Sequence, residues 1–173
     1  MPTARIPESA PISDKERQLI DQIHAQLGDK LREHKVSECT ILRFVRGFKD
    51  EPSDVCIEKL DNMLTWRKKT NVDEWGLGTL PHEAEFRKQW VSGLHGISRD
   101  GHPVYIERLG SIDPNTLTKN FTMDQVMNFH IQLMERITAY KDQLSEQKNT
   151  RIYKQIVILD LKGVGMGHTG RYN

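Results

Sequence analysis

The apolar run at residues 155–161 constrains the fold of this chain more than any other feature of its sequence. The run is Gln155-Ile156-Val157-Ile158-Leu159-Asp160-Leu161, and β-branched residues dominate its centre. Consecutive apolar residues place apolar side chains on both faces of a strand, which is typical of a strand inside a sheet that helices cover on each side. The run therefore predicts an α/β fold.

Residues 93–109 have the pattern of a β-hairpin. Two short segments, 93–99 and 103–109, flank the turn pair Asp100-Gly101. An aspartate–glycine pair between such segments is a strong hairpin signal, because glycine accepts the positive φ of a tight turn. We therefore expect an antiparallel pair of strands here.

A long amphipathic helix is expected between the hairpin and the apolar run. Thr122 and Gln125 have capping-box spacing, and an apolar stripe runs from there to about Leu144. The stripe includes His130, which we expect to be a buried, hydrogen-bonded histidine. The order strand, strand, helix, strand predicts an α/β domain over residues 92–173.

Residues 13–91 have the pattern of a separate all-helical unit. Apolar residues recur at helical spacing in four segments, which short breaks separate. The expected helices cover residues 13–35, 38–48, 53–70 and 81–91. Residues 1–12 carry Pro2, Pro7 and Pro11 and are expected to be a disordered lead-in.

The composition argues against several classes of protein. Lysine and arginine number 25 and aspartate and glutamate 24, whereas a nucleic-acid binder needs a basic excess. No stretch approaches the roughly 18 apolar residues of a transmembrane helix. Residues 1–10 lack the apolar core of a signal peptide. We expect a cytoplasmic protein that associates with membranes peripherally at most.

Neither catalytic nor metal-binding patterns are evident in the sequence. The seven histidines have no ligand spacing, and the two cysteines are too few for a zinc cluster. No serine or cysteine lies in a recognisable nucleophile motif. Four glycines follow the apolar run, but no Gly-Lys-Ser/Thr completes a phosphate-binding loop. The sequence therefore predicts a non-enzymatic protein without a metal or a cofactor.

Four segments, taken in order, resemble the Sec14-like (CRAL-TRIO) family. The first, residues 41–49, pairs a leucine-bearing helix face with two arginines, and the second, residues 63–67, has the Trp-Arg helix end of that family. The third, residues 100–110, is similar to its characteristic hairpin, and the fourth, residues 158–163, is similar to its central strand and turn. Together these segments cover roughly residues 38–165.

The resemblance implies both a fold and a function. Family members have a helical N-terminal unit followed by an α/β domain, which encloses one hydrophobic ligand between the sheet and a mobile gate helix. They exchange this lipid at membranes, often for phosphatidylinositol, and are not enzymes. The resemblance therefore implies that this chain binds a lipid, contacts a membrane surface transiently and transfers the lipid between membranes.

The resemblance also implies where the lipid contacts would lie. Tyr105 falls where relatives present a ring to the ligand, and alternate residues of the apolar run would share the inward face with it. The apolar side of the long helix would form another wall. The candidate lipid-contacting residues are Tyr105, Phe129, Leu133, Gln155, Val157 and Leu159. Because Gln155 and Val157 stand where phosphatidylcholine-binding relatives have small hydroxyl residues, the resemblance does not identify the headgroup.

The α/β domain is expected to be incomplete. In the family, further helices, strands and the gate helix follow the segment that resembles residues 158–163, whereas this chain ends at Asn173. Exposing one side of the five apolar residues in the run would forfeit ~4–8 kcal/mol, against about 5–15 kcal/mol of net stability for whole domains. The open edge of the strand would also favour aggregation. We therefore expect a fragment, a truncated gene model or a degenerate copy, unless a partner supplies the missing half.

The alternative function is a docking module without lipid cargo. In that interpretation the helical unit binds a protein or an anionic membrane surface through Arg43, Arg46 and Lys49, which recur every three residues on one expected helix. Co-purified lipid discriminates between the two functions, because only the carrier requires it.

Overall fold

The computed structural model describes residues 7–165. Over these residues it has seven α-helices, one short 3-10 helix and three β-strands, which confirms the predicted α/β class. The helices are α1 (Asp14–Glu33), α2 (Glu38–Gly47), α3 (Ser53–Thr70), α4 (Val72–Trp75), α5 (Glu83–Gln89), α6 (Pro114–Asn120) and α7 (Met123–Lys148). The strands are β1 (Ser92–Ile97), β2 (Pro103–Glu107) and β3 (Ile156–Leu159), and the 3-10 helix is Leu109–Ser111.

The chain divides into two compact units. The first comprises the chain up to Glu74 together with Ser145–Tyr153, and the second comprises Trp75–Leu144 together with the residues from Lys154 onward. This division lies earlier than the expected boundary between residues 91 and 92. It also assigns Ser145–Tyr153, a late segment of the chain, to the first unit. No local sequence pattern predicted this assignment.

Helices α1, α2 and α3 pack around an apolar core in the first unit. Ser13 and Glu16 form the capping box that begins α1, as their spacing predicted. Ile23 on α1 and Leu60 and Leu64 on α3 have no exposed surface. Apolar residues three and four positions apart share one helix face, and these faces meet in this core.

Residues 7–12, part of the expected disordered lead-in, make hydrogen bonds within the first unit. The Glu8 side chain is buried and accepts a hydrogen bond from the backbone N–H of Tyr153. The Arg151 guanidinium donates to the backbone carbonyls of Glu8, Ser9 and Ala10. Composition could not predict these hydrogen bonds, because the partners lie more than 140 residues apart in the chain. Residues 1–6 of the expected lead-in lie outside the described residues.

The three strands form a mixed sheet in the order β1-β2-β3 within the second unit. β1 and β2 pair antiparallel around a turn in which Gly101 has a φ of 91°, and this confirms the predicted hairpin. β3 lies parallel to β2, and α6 and α7 form the long connection that a parallel pair requires.

Helix α5 belongs to the second unit, although the periodicity assigned it to the helical one. Its Phe86 is buried in a cluster with Leu117, Phe121 and Phe129, all of which follow the hairpin in the sequence. The apolar character of Phe86 was visible in the sequence, but the identity of its packing partners was not.

Helix α6 was absent from the expected elements. The side chain of Asp113 caps it by accepting a hydrogen bond of 3.0 Å from the backbone N–H of Asn115. Pro114 occupies the first turn, where the missing N–H group of proline has no helical partner to lose. The Asp113-Pro114 pair is a regular helix-start signal, so this helix could have been predicted.

Strand β3 is an exposed edge strand, and the prediction that helices cover both of its faces is wrong for the part of the chain that the structure describes. The exposed fractions of Ile156, Val157, Ile158 and Leu159 are 41%, 47%, 47% and 50%. The apolar pattern indicates that both faces of the strand are suited to burial. It does not indicate which elements cover them, because that depends on residues outside the strand.

Candidate functional site

One face of the sheet carries a row of apolar side chains across all three strands. Leu94 of β1 lies opposite Tyr105 of β2, and Tyr105 lies beside Val157 of β3. Side chains in register on neighbouring strands point to the same face, and residues two apart along a strand do so as well. Glu107 and Leu159, which are also in register, therefore belong to the same face.

Tyr105 forms the buried centre of this face. Only 2% of its surface is exposed. Its hydroxyl donates a hydrogen bond of 3.2 Å to Oε2 of Glu107, and it also hydrogen-bonds the side chain of Ser92. Burial raises the pKa of Tyr105 to about 12, with a further contribution from the negative charge of Glu107. The phenol is therefore neutral over the ordinary pH range.

Glu107 joins the sheet to the end of α5. Its Oε1 atom accepts a hydrogen bond of 2.8 Å from the indole Nε1–H of Trp90, while its Oε2 atom accepts from Tyr105. A partly buried carboxylate needs such donors, because burial without them would leave a charge unsatisfied. The contact fixes the Trp90 ring beside the sheet face.

Four aromatic rings pack together next to this contact. The Phe86 ring stacks on Phe129 with 4.1 Å between centroids and on Trp90 with 5.6 Å. Phe121 meets Phe86 and Phe129 edge-on. Both arrangements are favourable for aromatic pairs, so the four rings form one packed apolar cluster.

A small cavity of about 30 Å³ lies between α5, the start of β1 and α7. Its lining includes Phe129 and Leu133, both predicted site residues, together with Ser92 and His130. His130 is exposed, so the expectation of a buried histidine is wrong. Pockets for drug-sized ligands measure roughly 300–1,000 Å³. A lipid would therefore need the open sheet face in addition to this cavity.

Charged and polar side chains form hydrogen bonds between α5 and α7 beside the cavity. Glu83 of α5 accepts hydrogen bonds from Arg136 of α7 and from Arg87 one turn further along α5. The hydrogen bonds of Arg136, opposed by burial and assisted by Arg87, lower the pKa of Glu83 to about 2. Arg136 and the buried Gln132 also donate to the backbone carbonyl of Gly78. These bonds hold α5 against α7.

The predicted lipid-contacting residues fall into two connected groups. Phe129 and Leu133 line the cavity, whereas Tyr105, Val157 and Leu159 share the sheet face. Ser92 connects the groups, because it lines the cavity and hydrogen-bonds Tyr105. Gln155 is half-buried and immediately precedes β3.

Several residues of this site were not singled out from the sequence. Ser92, Trp90 and Glu107 meet through the register of the hairpin and the end of α5, which no local pattern specifies. Glu83 and Arg136 are 53 residues apart. The i, i+4 spacing of Glu83 and Arg87 is a regular pattern for a helix-surface ion pair, and it was not singled out either.

The predicted basic surface patch does not form as expected, because Arg46 is buried with 8% of its surface exposed. Its guanidinium donates to the carboxylate of Glu16, to the hydroxyl of Tyr153 and to four backbone carbonyls of the segment before α1, those of residues 7, 8, 10 and 11. Arg43 is exposed and lies 5.7 Å from the centre of the Phe44 ring, and Lys49 is half-buried. Arg46 is therefore a structural residue, and a surface role remains a prediction for Arg43 and Lys49.

Two further surveys concern residues 7–165. Over this range no group of three or more His, Cys, Asp or Glu side chains is arranged to hold a metal ion. None of the helices in the same range is long and apolar enough to cross a membrane. His168 and the last glycines of the Gly-rich tail lie outside the described part of the chain.

The sequence also matches known proteins. A protein-family model described as "CRAL/TRIO domain" matches residues 87–172, which include the hairpin, the aromatic cluster's Phe121 and Phe129, and β3.

Three curated relatives from Arabidopsis thaliana are each named as a phosphatidylinositol/phosphatidylcholine transfer protein. SFH13 is 33% identical over 138 residues, which cover 73% of this chain and 20% of that protein. SFH9 is 34% identical over 127 residues, covering 72% and 22%. SFH12 is 37% identical over 111 residues, covering 60% and 20%. The chain thus spans about a fifth of the length of these relatives. With the hairpin, the long helix and the parallel strand in the expected order, these matches establish that the chain belongs to the Sec14-like CRAL/TRIO family.

Proposed function

We propose that this chain binds one hydrophobic lipid non-enzymatically and transfers it between membranes, with phosphatidylinositol as the cargo. Membership of the CRAL/TRIO family supports the class of ligand, and the names of the Arabidopsis thaliana relatives support the class of headgroup. The protein would contact each membrane surface transiently while the lipid enters or leaves.

The observation that carries this proposal is the apolar row on the sheet face. Leu94, Val157 and Leu159 expose 42%, 47% and 50% of their surfaces on the face whose centre is the buried Tyr105. Apolar surface removed from water contributes roughly 25 cal/mol per Å². An acyl chain lying along this row would cover these side chains and gain that stabilisation itself.

The remaining predicted residues have distinct proposed roles. Phe129 and Leu133 would extend the apolar wall from the sheet to α7. Tyr105 would form the floor beneath the acyl chain, since its ring is buried and its hydroxyl is already hydrogen-bonded. Gln155, half-buried next to the apolar row, would supply a polar group near one end.

A pair of aspartate substitutions in β3 tests the proposed face. Val157 and Ile158 are adjacent and each is 47% exposed, but they lie on opposite faces of the sheet. Val157→Asp places a charge under the acyl chain, whereas Ile158→Asp places the same charge on the other face. The two variants are therefore matched in exposure, in strand position and in net charge.

The measurement is the amount of lipid that the full chain retains after incubation with phosphatidylinositol-containing vesicles and re-purification, quantified by mass spectrometry. We expect lipid of unchanged mass with the natural chain and with Ile158→Asp, and at least a tenfold loss with Val157→Asp. Equal retention by both variants would place the lipid elsewhere. No retained lipid in any of the three chains would refute the carrier function.

The docking-module alternative is less well supported. It depends on three cations on one exposed helix surface, and the middle one, Arg46, is buried and bonded within the first unit. If the natural chain retains no lipid yet binds anionic vesicles through Arg43 and Lys49, that alternative replaces the carrier function.

A further inference from the structure

Trp66 is an exposed aromatic residue on the outer side of α3, within the first unit. It exposes 38% of its surface, whereas Trp75 and Trp90 are partly buried. The indole N–H of Trp90 donates to Glu107, but the indole N–H of Trp66 has no hydrogen-bond partner within residues 7–165. A large ring with an unpaired donor suits a membrane–water interface, where the ring meets acyl chains and the N–H meets polar headgroup atoms.

Two exposed lysines lie on the same side of α3 as Trp66. A helix turns by about 100° per residue, so Lys59 and Lys69 lie within roughly 60° of Trp66 around the helix axis. Both side chains are exposed. Neither forms an ion pair with a carboxylate in the part of the chain that the structure describes. Their charges are therefore available to a partner.

The other two cations of α3 are already paired within the first unit. Lys68 forms an ion pair of 3.0 Å with Glu33 of α1, and Arg67 pairs with Asp73 of α4. These two cations lie about 160° and 100° from Trp66 around the axis. The cations of α3 thus divide into a pair that holds the unit together and a pair that flanks Trp66.

The carboxylates of α3 lie away from Trp66. Asp54, Glu58 and Asp61 are about 80° to 140° from it around the axis, and Asp61 pairs with Lys30 of α1. The remaining α3 residues within about 60° of Trp66 are uncharged, and they are Val55, Asn62, Met63 and Thr70. One side of α3 therefore combines an exposed tryptophan with two positive charges and no negative charge of its own. We call Lys59, Trp66 and Lys69 the Trp66 face.

We propose that the Trp66 face is the surface through which this chain docks on anionic membranes. Lys59 and Lys69 would contact the negative headgroups, and the Trp66 ring would lie between headgroups and acyl chains. Charge complementarity selects an anionic partner, and the tryptophan selects a partner whose charged layer borders an apolar one, as in a bilayer. The inference rests on the proposed function, because a lipid carrier must reach a membrane, and it names the surface that does so.

The composition of the Trp66 face predicts weak, reversible docking. Each basic residue near an anionic membrane surface raises the affinity by about fivefold, so two lysines together contribute about 25-fold. This contribution depends on salt, because the screening length falls from about 10 Å at 0.1 M to about 3 Å at 1 M. The contact of the Trp66 ring does not depend on charge and should persist at high salt. Reversible docking fits a protein that contacts each membrane transiently.

The first test compares two neighbouring lysines in sedimentation of the full chain with vesicles. The vesicles contain phosphatidylserine and phosphatidylcholine, or phosphatidylcholine alone. Lys69→Gln and Lys68→Gln remove the same charge from adjacent exposed positions, but only Lys69 belongs to the Trp66 face. We expect Lys69→Gln to weaken binding to the anionic vesicles by about fivefold and Lys59→Gln/Lys69→Gln by about 25-fold, with a change below about twofold for Lys68→Gln.

Three results of this test would overturn the proposal. Equal losses in Lys69→Gln and Lys68→Gln would show that only the net charge matters. Equal binding of the natural chain to both kinds of vesicle, or no binding to either, would remove the anionic membrane as the partner. Loss of binding in Arg43→Gln/Lys49→Gln, with Lys59→Gln/Lys69→Gln unaffected, would move the docking surface to the region of α2.

The second test truncates the tryptophan. Trp66→Ala should weaken binding to the anionic vesicles by about tenfold, and this loss should persist at high salt. Thr65→Ala shortens an exposed neighbour about 100° away on the same helix and should change binding by less than about twofold. Equal urea unfolding midpoints for the two variants would show that the first unit remains folded. Unchanged vesicle binding in a folded Trp66→Ala would overturn the role of Trp66.

The outcomes for docking and for lipid carriage are separable, because vesicle binding is measured independently of retained lipid. Suppose the natural chain retains no lipid but binds anionic vesicles, with a loss in Lys69→Gln and none in Lys68→Gln. That result would remove the proposed function and leave this inference intact. A natural chain that retains lipid, but whose vesicle binding is the same in Lys69→Gln and Lys68→Gln, would overturn this inference and leave the proposed function intact.

Discussion

The Arg46 guanidinium donates a hydrogen bond of 3.2 Å to the hydroxyl of Tyr153, 107 residues further along the chain. The same guanidinium bonds Glu16 at 2.7 Å. Burial raises the pKa of Glu16, but the hydrogen bonds from Arg46 and Ser13 outweigh it and leave that pKa below its usual value. One buried cation thus ties together the start of α1, the segment before it and the end of the first unit.

Arg46→Ala should therefore destabilise the first unit strongly. The substitution leaves the Glu16 carboxylate and several buried carbonyls without their donor, and breaking a buried pair in this way costs about 3 kcal/mol or more. Arg43→Ala on the same helix removes the same charge from an exposed position and should cost less than about 0.5 kcal/mol. Urea unfolding of both variants measures the difference. Hydrogen exchange of residues 7–12 should accelerate only in Arg46→Ala, and equal effects of the two variants would contradict the structural role of Arg46.

Glu83 should make the second unit sensitive to acid. Its pKa is lowered from 4.5 to about 2 in the folded chain, chiefly by the hydrogen bonds of Arg136. A lowered folded-state pKa contributes stability that is present above pH 4.5 and is lost as the pH falls towards 2. Because Arg136 and Arg87 are partly exposed, we expect a contribution of about 2 kcal/mol rather than the full value of the shift.

The measurement is the thermal unfolding midpoint between pH 6 and pH 2.5. Glu83→Gln lacks this contribution, so the stability advantage of the natural chain over it should shrink through this range. Glu85→Gln, an equal change of charge at an exposed position of α5, controls for the overall charge of the chain. If the difference in unfolding midpoint between the natural chain and Glu83→Gln does not change with pH, the proposed stabilising role of the Glu83–Arg136 hydrogen bonds is contradicted.

Gly110 and Gly93 should respond oppositely to alanine. A Cβ atom on Gly110 would overlap the backbone carbonyl group of Lys162, whereas a Cβ atom on Gly93 would meet nothing within 4 Å. The turn after β3 packs directly against Gly110, and the backbone N–H of Gly110 donates to the carbonyl of Asp160. Gly110→Ala should therefore cost about 2–3 kcal/mol through overpacking. Gly93→Ala should be neutral or stabilising by about 0.5 kcal/mol. Equal unfolding midpoints for the two variants would contradict the close approach of these backbones.

Tyr105 should ionise only at very alkaline pH. Burial raises its pKa to about 12, so its neutral form stabilises the folded chain fully below pH 10 and progressively less as the pH rises towards 12. A spectrophotometric titration of tyrosinate should show a late component that disappears in Tyr105→Phe. Tyr140→Phe removes a different tyrosine and should retain that component. Its loss in both variants, or in neither, would contradict the burial of Tyr105.

Local sequence patterns predicted much of the local structure. The Asp100-Gly101 pair gave the hairpin, and the capping boxes at Ser13 and Thr122 gave the starts of two helices. These features depend on residues within four positions of one another, so a short stretch of sequence contains all the necessary information. The same reasoning would have found α6 from Asp113-Pro114.

Features that depend on distant partners were not predictable in this way. Arg46 and Lys49 look alike in the sequence as cations three residues apart, yet only Arg46 is buried, because Tyr153 and the segment before α1 supply its acceptors. Likewise, the apolar run of β3 indicated a covered strand, whereas coverage depends on elements that the run itself does not encode. In the candidate site, Val157 and Tyr105 could be placed by alternation and resemblance. The position of Ser92 between the cavity and Tyr105 depends on the register of β1 with β2, which the sequence alone does not specify.

The most direct test of the carrier function is transfer of labelled phosphatidylinositol between two populations of vesicles by the full chain. We expect transfer that increases linearly with protein concentration and exceeds the spontaneous rate, that persists in Ile158→Asp and that falls at least tenfold in Val157→Asp. Transfer at the spontaneous rate by the natural chain, with no lipid recovered from it after re-purification, would contradict the carrier function.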